Sequence, residues 1–96
     1  MAHYIALIHK ERDSHYGVSF PDVPGVIAAA DSLDAALIEA AEALAFAAED
    51  WEALTGVSFP APRSLDALQS DAAFAAMADQ AVVAAVPLRT HIGEAA

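Results

Sequence analysis

The chain contains no cysteine, which excludes disulfides and thiolate metal sites and suits a reducing cytoplasm. Cations are almost as scarce. Lys10, Arg12, Arg63 and Arg89 stand against 14 Asp and Glu, for a net charge of −10. Phosphate backbones are bound through clustered cations, and these four do not cluster in sequence, so direct nucleic acid binding is not expected. A basic protein is the partner such a charge attracts. No apolar run approaches the roughly 20 residues of a membrane span, and Met1–Ile8 lacks the cationic start and cleavage site of a signal peptide. A cytoplasmic protein without membrane contact is the expectation.

What is present is alanine, nearly half of a hydrophobic content of 57%. Ninety-six residues make a single domain, 1–96, and a chain of this size buries only about 60–65% of its surface. Alanine adds little area per residue, so a homodimer or homotetramer is expected to supply further packing.

HYIALIH, 3–9, is apolar on both alternating faces, with Ile5 and Leu7 on one and Tyr4, Ala6 and Ile8 on the other. That is a strand covered on both sides. Across a polar loop, YGVSF (16–20) alternates with Tyr16, Val18 and Phe20 facing one way. After PDVPG, the segment 25–31 can return as a third, antiparallel strand. Ser32 suits an N-cap with Asp34 in the first turn, and Gly56 suits the C′ position of the same helix. Between them Leu33, Leu37, Ala40, Leu44, Ala47, Trp51 and Leu54 form one apolar stripe. Short helices are expected from Ser64 and near 71–77, and a last strand over 80–88. The fold class expected is α+β, an antiparallel β-β-β-α-β sheet with one long helix packed on one face.

In PDVPG each proline fixes its own φ and extends the residue before it. Gly25 can take the positive φ that closes the turn. Asp22 can accept from backbone two residues on, making the segment a rigid corner. The other reading, a catalytic Asp22, needs a base, nucleophile or metal partner that this segment does not supply.

The run Y-G-V-S-F-P-D-V-P-G, followed by A-A-D-S-L-D-A-A and then F-P-A-P-R-S-L, resembles the HicB-like antitoxins of bacterial toxin–antitoxin pairs. The likeness extends from about Tyr4 to Leu88. Its motif turn falls on Tyr16, Phe20, Pro21, Asp22, Pro24 and Gly25. The resemblance implies a partial RNase H-like sheet with one long helix. It further implies a non-catalytic antitoxin that binds and occludes a small basic HicA-type mRNA interferase. Many members carry a C-terminal module that binds the operator. Here only eight residues follow Leu88, so no C-terminal DNA-binding domain is expected in this chain. The alternative is an orphan oligomeric scaffold of the same fold that binds another partner.

An RNase H-like sheet also invites an enzymatic reading, since two-metal nucleases need carboxylates converging on one spot. HYIALIH carries no acid, and Asp22 and Asp31 fall at strand ends, so no catalytic residue is assigned. His9 and His15 flank the hairpin loop with Asp13 between them, a conceivable surface metal site. Solvent-facing hairpin histidines are the commoner case, and His3 lies roughly 20 Å from His9 along a strand. No metal or cofactor is expected, and no nucleophile elbow or phosphate loop is present.

The long helix is the stronger lead. At 100° per residue, Asp34, Glu39, Glu42, Glu49, Asp50 and Glu52 fall opposite the apolar stripe, and Ile38 and Phe46 fall among them. Either these two are singly exposed apolar residues, or Ile38, Glu39, Glu42, Phe46 and Glu49 form a contact patch with an apolar centre and acidic rim.

Overall fold

A computed structural model describes residues 2–12 and 15–89. Its elements run β1 (His3–Lys10), β2 (Tyr16–Ser19), β3 (Ile27–Ala30), α1 (Leu33–Thr55), α2 (Leu65–Gln69), α3 (Ala72–Ala78) and β4 (Val82–Pro87). The four strands form one antiparallel sheet in the order β3-β2-β1-β4. The expected class and element order hold. Strand ends differ by a residue or two for local reasons. β3 begins at Ile27 because Val23 N–H bonds to Phe20 C=O and Val26 N–H to Val23 C=O, which prolongs the turn. β4 begins at Val82 because Gln80 sits at φ 61, outside extended space.

β1 is the strand covered on both faces. Tyr4, Ala6 and Ile8 join Val18, Phe20 and Val86 beneath α1. Leu7 on the other face packs with Leu68 of α2 and Phe74 of α3, with Ile5 beside them. The two short helices thus cover Leu7 within the chain.

Helix α1 starts and stops on the residues that have the chemistry for it. Ser32 accepts from Ala35 N–H at 3.1 Å, and Gly56, at φ 80, donates to Glu52 C=O at 2.8 Å. The helix lays Ala36, Ala40 and Leu44 fully against the sheet, small residues that bring its backbone close. The apolar stripe is shorter than its period suggests. Leu33 is 37% and Leu54 82% exposed, since the underlying sheet stops before either end of a 23-residue helix. Trp51 is the last stripe residue to pack, edge-on to Phe59 at 5.3 Å. Phe59 in turn lies 5.6 Å from Tyr4, whose hydroxyl donates to Pro60 C=O at 2.6 Å. Burial raises the Tyr4 pKa, with the charge of Asp22 adding to it. That ring cluster leads the chain from the end of α1 back to the sheet.

Candidate functional site

Two groups of sequence-marked residues are on the surface, and the structure separates them. The first is the corner after β2. Phe20 and Val23 are buried in the main core, Tyr16 packs at its margin, and Lys10 Nζ stands 5.3 Å over the Tyr16 ring. Pro24 is exposed and Gly25 turns the chain at φ 96. Asp22 does not work as expected from the turn alone. Instead of capping backbone two residues on, it reaches across the fold to Arg63. Its Oδ2 accepts from the Arg63 backbone N–H and its Oδ1 from Arg63 Nε, both at 2.7 Å. The Asp22 side chain is only 8% exposed.

Arg63 is the residue that inspection of the motif missed as an active participant. Its second arm, Nη1, donates to Asp71 Oδ2 at 3.0 Å. Asp71 Oδ1 meanwhile accepts from Ala73 N–H at 2.8 Å and so caps α3. The two carboxylates raise the Arg63 pKa, and the Arg63 hydrogen bond, seconded by the Ala73 amide, lowers that of Asp71. One guanidinium thus ties the β2–β3 corner to the start of α3. The resemblance that joined F-P-D-V-P-G to P-A-P-R-S contained the signal, because Asp22 and Arg63 each follow a proline in those motifs.

This arrangement also bears on the nuclease reading. Asp22 precedes β3 and Asp31 follows it, so the two lie at opposite ends of a strand, roughly 3.3 Å per residue apart. Each is engaged by a different side chain, Asp22 by the Arg63 guanidinium and Asp31 by the His15 imidazole at 3.1 Å. They do not converge on one point. Similarly, His9 and His15 are not paired with each other: His9 Nε2 donates to Met77 C=O at 3.0 Å, fastening α3 to β1. Asp13 lies outside the described residues. Among the described residues no three His, Cys, Asp or Glu are grouped to hold a metal ion.

The second group is the outer face of α1. Its helix contains six carboxylates and no Lys, Arg or His. Ile38 is 61% and Phe46 71% exposed, and Glu39, Glu42 and Glu49 are exposed with them. A concave surface runs along both flanks of the helix. It meets Ile27 and Ala28 of β3 on one side and Ala85, Val86, Pro87 and Arg89 on the other. Ile38 and Phe46 are part of the lining of this open concavity, with Glu39 and Glu42 beside them. Such a surface suits a macromolecule with apolar contacts inside a basic rim. No helix among the described residues is long and apolar enough to cross a membrane.

Known proteins share this architecture. The chain is similar to the N-terminal domain of the Burkholderia pseudomallei antitoxin HicB, with 26% identity and a TM-score of 0.72 over 91% of this chain and 98% of that one. It is similar to a longer structure of the same antitoxin at 28% identity and a TM-score of 0.69, covering 92% of this chain and 64% of that one. A HicA3 and HicB3 toxin–antitoxin complex shares the fold at 19% identity, with a TM-score of 0.68 over 91% of this chain. No curated protein matches it. A family model, described as the HicB-like antitoxin of bacterial toxin–antitoxin systems, matches residues 4–92. On that match, which spans the sheet, the long helix and the Asp22–Arg63 corner, the chain belongs to the HicB-like antitoxin family.

Proposed function

We propose that the protein is a non-catalytic antitoxin that binds a small basic HicA-type mRNA interferase and covers its RNA-binding and catalytic face. The contact surface is the outer side of α1, with Ile38 and Phe46 at the centre and Glu39, Glu42 and Glu49 around them. The observation that carries this reading is the composition of that face: six carboxylates, no cation, and two large apolar side chains held in water.

Two physical arguments support it. A toxin that grips RNA presents clustered cations, so an anionic helix competes for the surface the phosphates use. The acids are also placed at some cost to the free protein. Glu49, Asp50 and Glu52 lie near the C-terminus of α1, where the helix dipole favours cations, and no basic residue sits in the last turn. A docked cationic partner offsets that repulsion. A partnership with a toxin is also the state recorded for the HicA3 and HicB3 pair.

The test is co-expression with a small basic protein encoded beside it. The wild-type chain rescues a toxin-arrested culture and co-purifies with the toxin, whereas Phe46→Asp, still folded by circular dichroism, does neither. Rescue by Phe46→Asp at wild-type level would move the contact surface elsewhere. Absence of any toxin that binds would favour the orphan scaffold.

A further inference from the structure

Between Arg63 and β4 the chain crosses the outer face of the sheet as a separate piece. Of residues 64–80 only Leu68 and Phe74 are buried. With Leu7 they form a hydrophobic cluster that shares no residue with the main core under α1. The backbone hydrogen bonds of the piece close within it: the amides of Leu68, Asp71, Ala75 and Ala81 donate to the carbonyls of Ser64, Leu68, Asp71 and Ala78. The Asp71 bond joins α2 to α3, so the two short helices form one unit. None of these bonds belongs to a strand ladder.

Both ends of the piece are fixed. Arg63 is held to the body of the fold, because its backbone N–H and Nε both donate to Asp22 at 2.7 Å. Just before it, Pro60 C=O accepts from the Tyr4 hydroxyl. At the other end Gln80 sits at φ 61, a left-handed conformation uncommon outside glycine, and two residues later Val82 opens the ladder with β1 opposite Ile8. Two polar contacts hold the middle down. Arg63 Nη1 donates to Asp71 Oδ2 at 3.0 Å, and His9 Nε2 to Met77 C=O at 3.0 Å.

We infer that residues 64–80 form a flap that opens as one unit about Arg63 and Gln80 while the sheet and α1 stay folded. Opening breaks the Asp71 and His9 contacts and lifts Leu68 and Phe74 off Leu7. It leaves intact the Asp22–Arg63 bonds, the strand ladders and the backbone bonds inside the flap. Units held by few buried apolar contacts open at a lower free energy than the whole domain. Among the described residues the main core buries eleven side chains and the flap cluster three, so the flap gives way first.

What opening uncovers is an apolar strip. Leu7 pairs with Val83 and Ile5 with Ala85, and directly opposed residues of two antiparallel strands share a face of the sheet. Val83 and Ala85 are already exposed, so with the flap raised Leu7 and Ile5 join them. This face is turned away from α1. The flap therefore gates an apolar surface separate from the acidic helix, and its action does not depend on what that helix binds.

Native-state hydrogen exchange of the full chain at low denaturant tests this. The amides of Leu68 in α2 and Ala75 in α3 are expected to share one opening. Their protection should be at least roughly a hundredfold below that of Ala40 and Leu44 in α1, with a weaker dependence on denaturant. Asp71→Asn removes the Arg63 contact and still caps α3. It should speed Leu68 and Ala75 together by roughly three- to tenfold. Ala48→Gly, in the middle of α1, should speed Ala40 and Leu44 by roughly two- to fivefold. It should leave the flap amides as they are, because α1 is intact in both the closed and the raised state. Phe74→Ala should leave the flap raised at rest, its amides unprotected while those of α1 keep protection. Flap and α1 amides that share one protection level and one denaturant dependence would overturn the inference. So would Ala48→Gly speeding the flap as much as α1, or wild-type flap amides with no protection at all.

Discussion

At the β2–β3 corner one carboxylate, Asp22, takes two hydrogen bonds from Arg63 and is almost closed off from solvent. Along α1 six carboxylates stand on a helix that has no cation of its own. The corner carboxylate joins segments 41 residues apart in sequence and leaves little for a partner to use. The helix carboxylates are instead all exposed. Acid content alone therefore says nothing about function in an anionic chain; the distribution of its four cations does. Arg63 neutralises the corner, and the outer helix face, the surface proposed for a basic partner, keeps its negative charge.

The sharpest way to break that contrast is charge reversal. Glu39→Lys with Glu42→Lys should weaken toxin binding by at least roughly a hundredfold, since like charges set against a basic surface cost several kcal/mol. Thermal stability should stay within about 0.5 kcal/mol, as for other exposed substitutions. Binding calorimetry and a thermal melt on the same sample check both halves. Asp22→Ala should do the reverse. It removes both hydrogen bonds that tie Arg63 to the corner and should lower the denaturant midpoint, with toxin affinity within roughly twofold of wild type. If Asp22→Ala abolished binding without unfolding, the corner would be part of the interface and the contrast would fail.

The division between these two regions was only half visible in the sequence. The outer face of α1 follows from a period of 3.6 residues and needs no tertiary knowledge, and the Ser32 and Gly56 ends are local chemistry. Leu54 shows where periodicity misleads, because a helix can continue its stripe after the sheet beneath it has ended. The Asp22–Arg63 bridge was hidden for another reason. Two charged residues far apart in sequence give no distance, and the Asx turn was the nearest local use for an aspartate. The cover over Leu7 was equally hard to foresee. α2 and α3 have five and seven residues, too short to be stable alone. Their place depends on Leu68 and Phe74 meeting Leu7, and on His9 holding the Met77 carbonyl.

Acid titration separates the carboxylates held in ion pairs from those exposed on α1 more finely. Asp71 has its pKa lowered from an ordinary 3.8, chiefly by the Arg63 hydrogen bond. A lowered folded-state value means stability present above the unfolded pKa and lost as pH falls through the folded one. Melting temperature should therefore drop as pH falls below about 3.8, and Asp71→Asn should flatten that limb. Asparagine still caps α3, so a remaining slope would have to come from other carboxylates.

The smallest effect tests the claim that the helix acids are placed at the expense of the free protein. Glu52 lies in the last turn of α1, and Gly56 N–H bonds to its carbonyl. Its side chain therefore faces the negative end of the dipole. Glu52→Lys should stabilise the isolated protein by about 0.3–1 kcal/mol, measured at low salt and fading as salt is raised. If the same change also weakens toxin binding, the acid at that end serves the complex and not the fold. If it stabilises without touching affinity, the interface ends before the last turn, and the contact patch contracts to the stretch between Ile38 and Glu49.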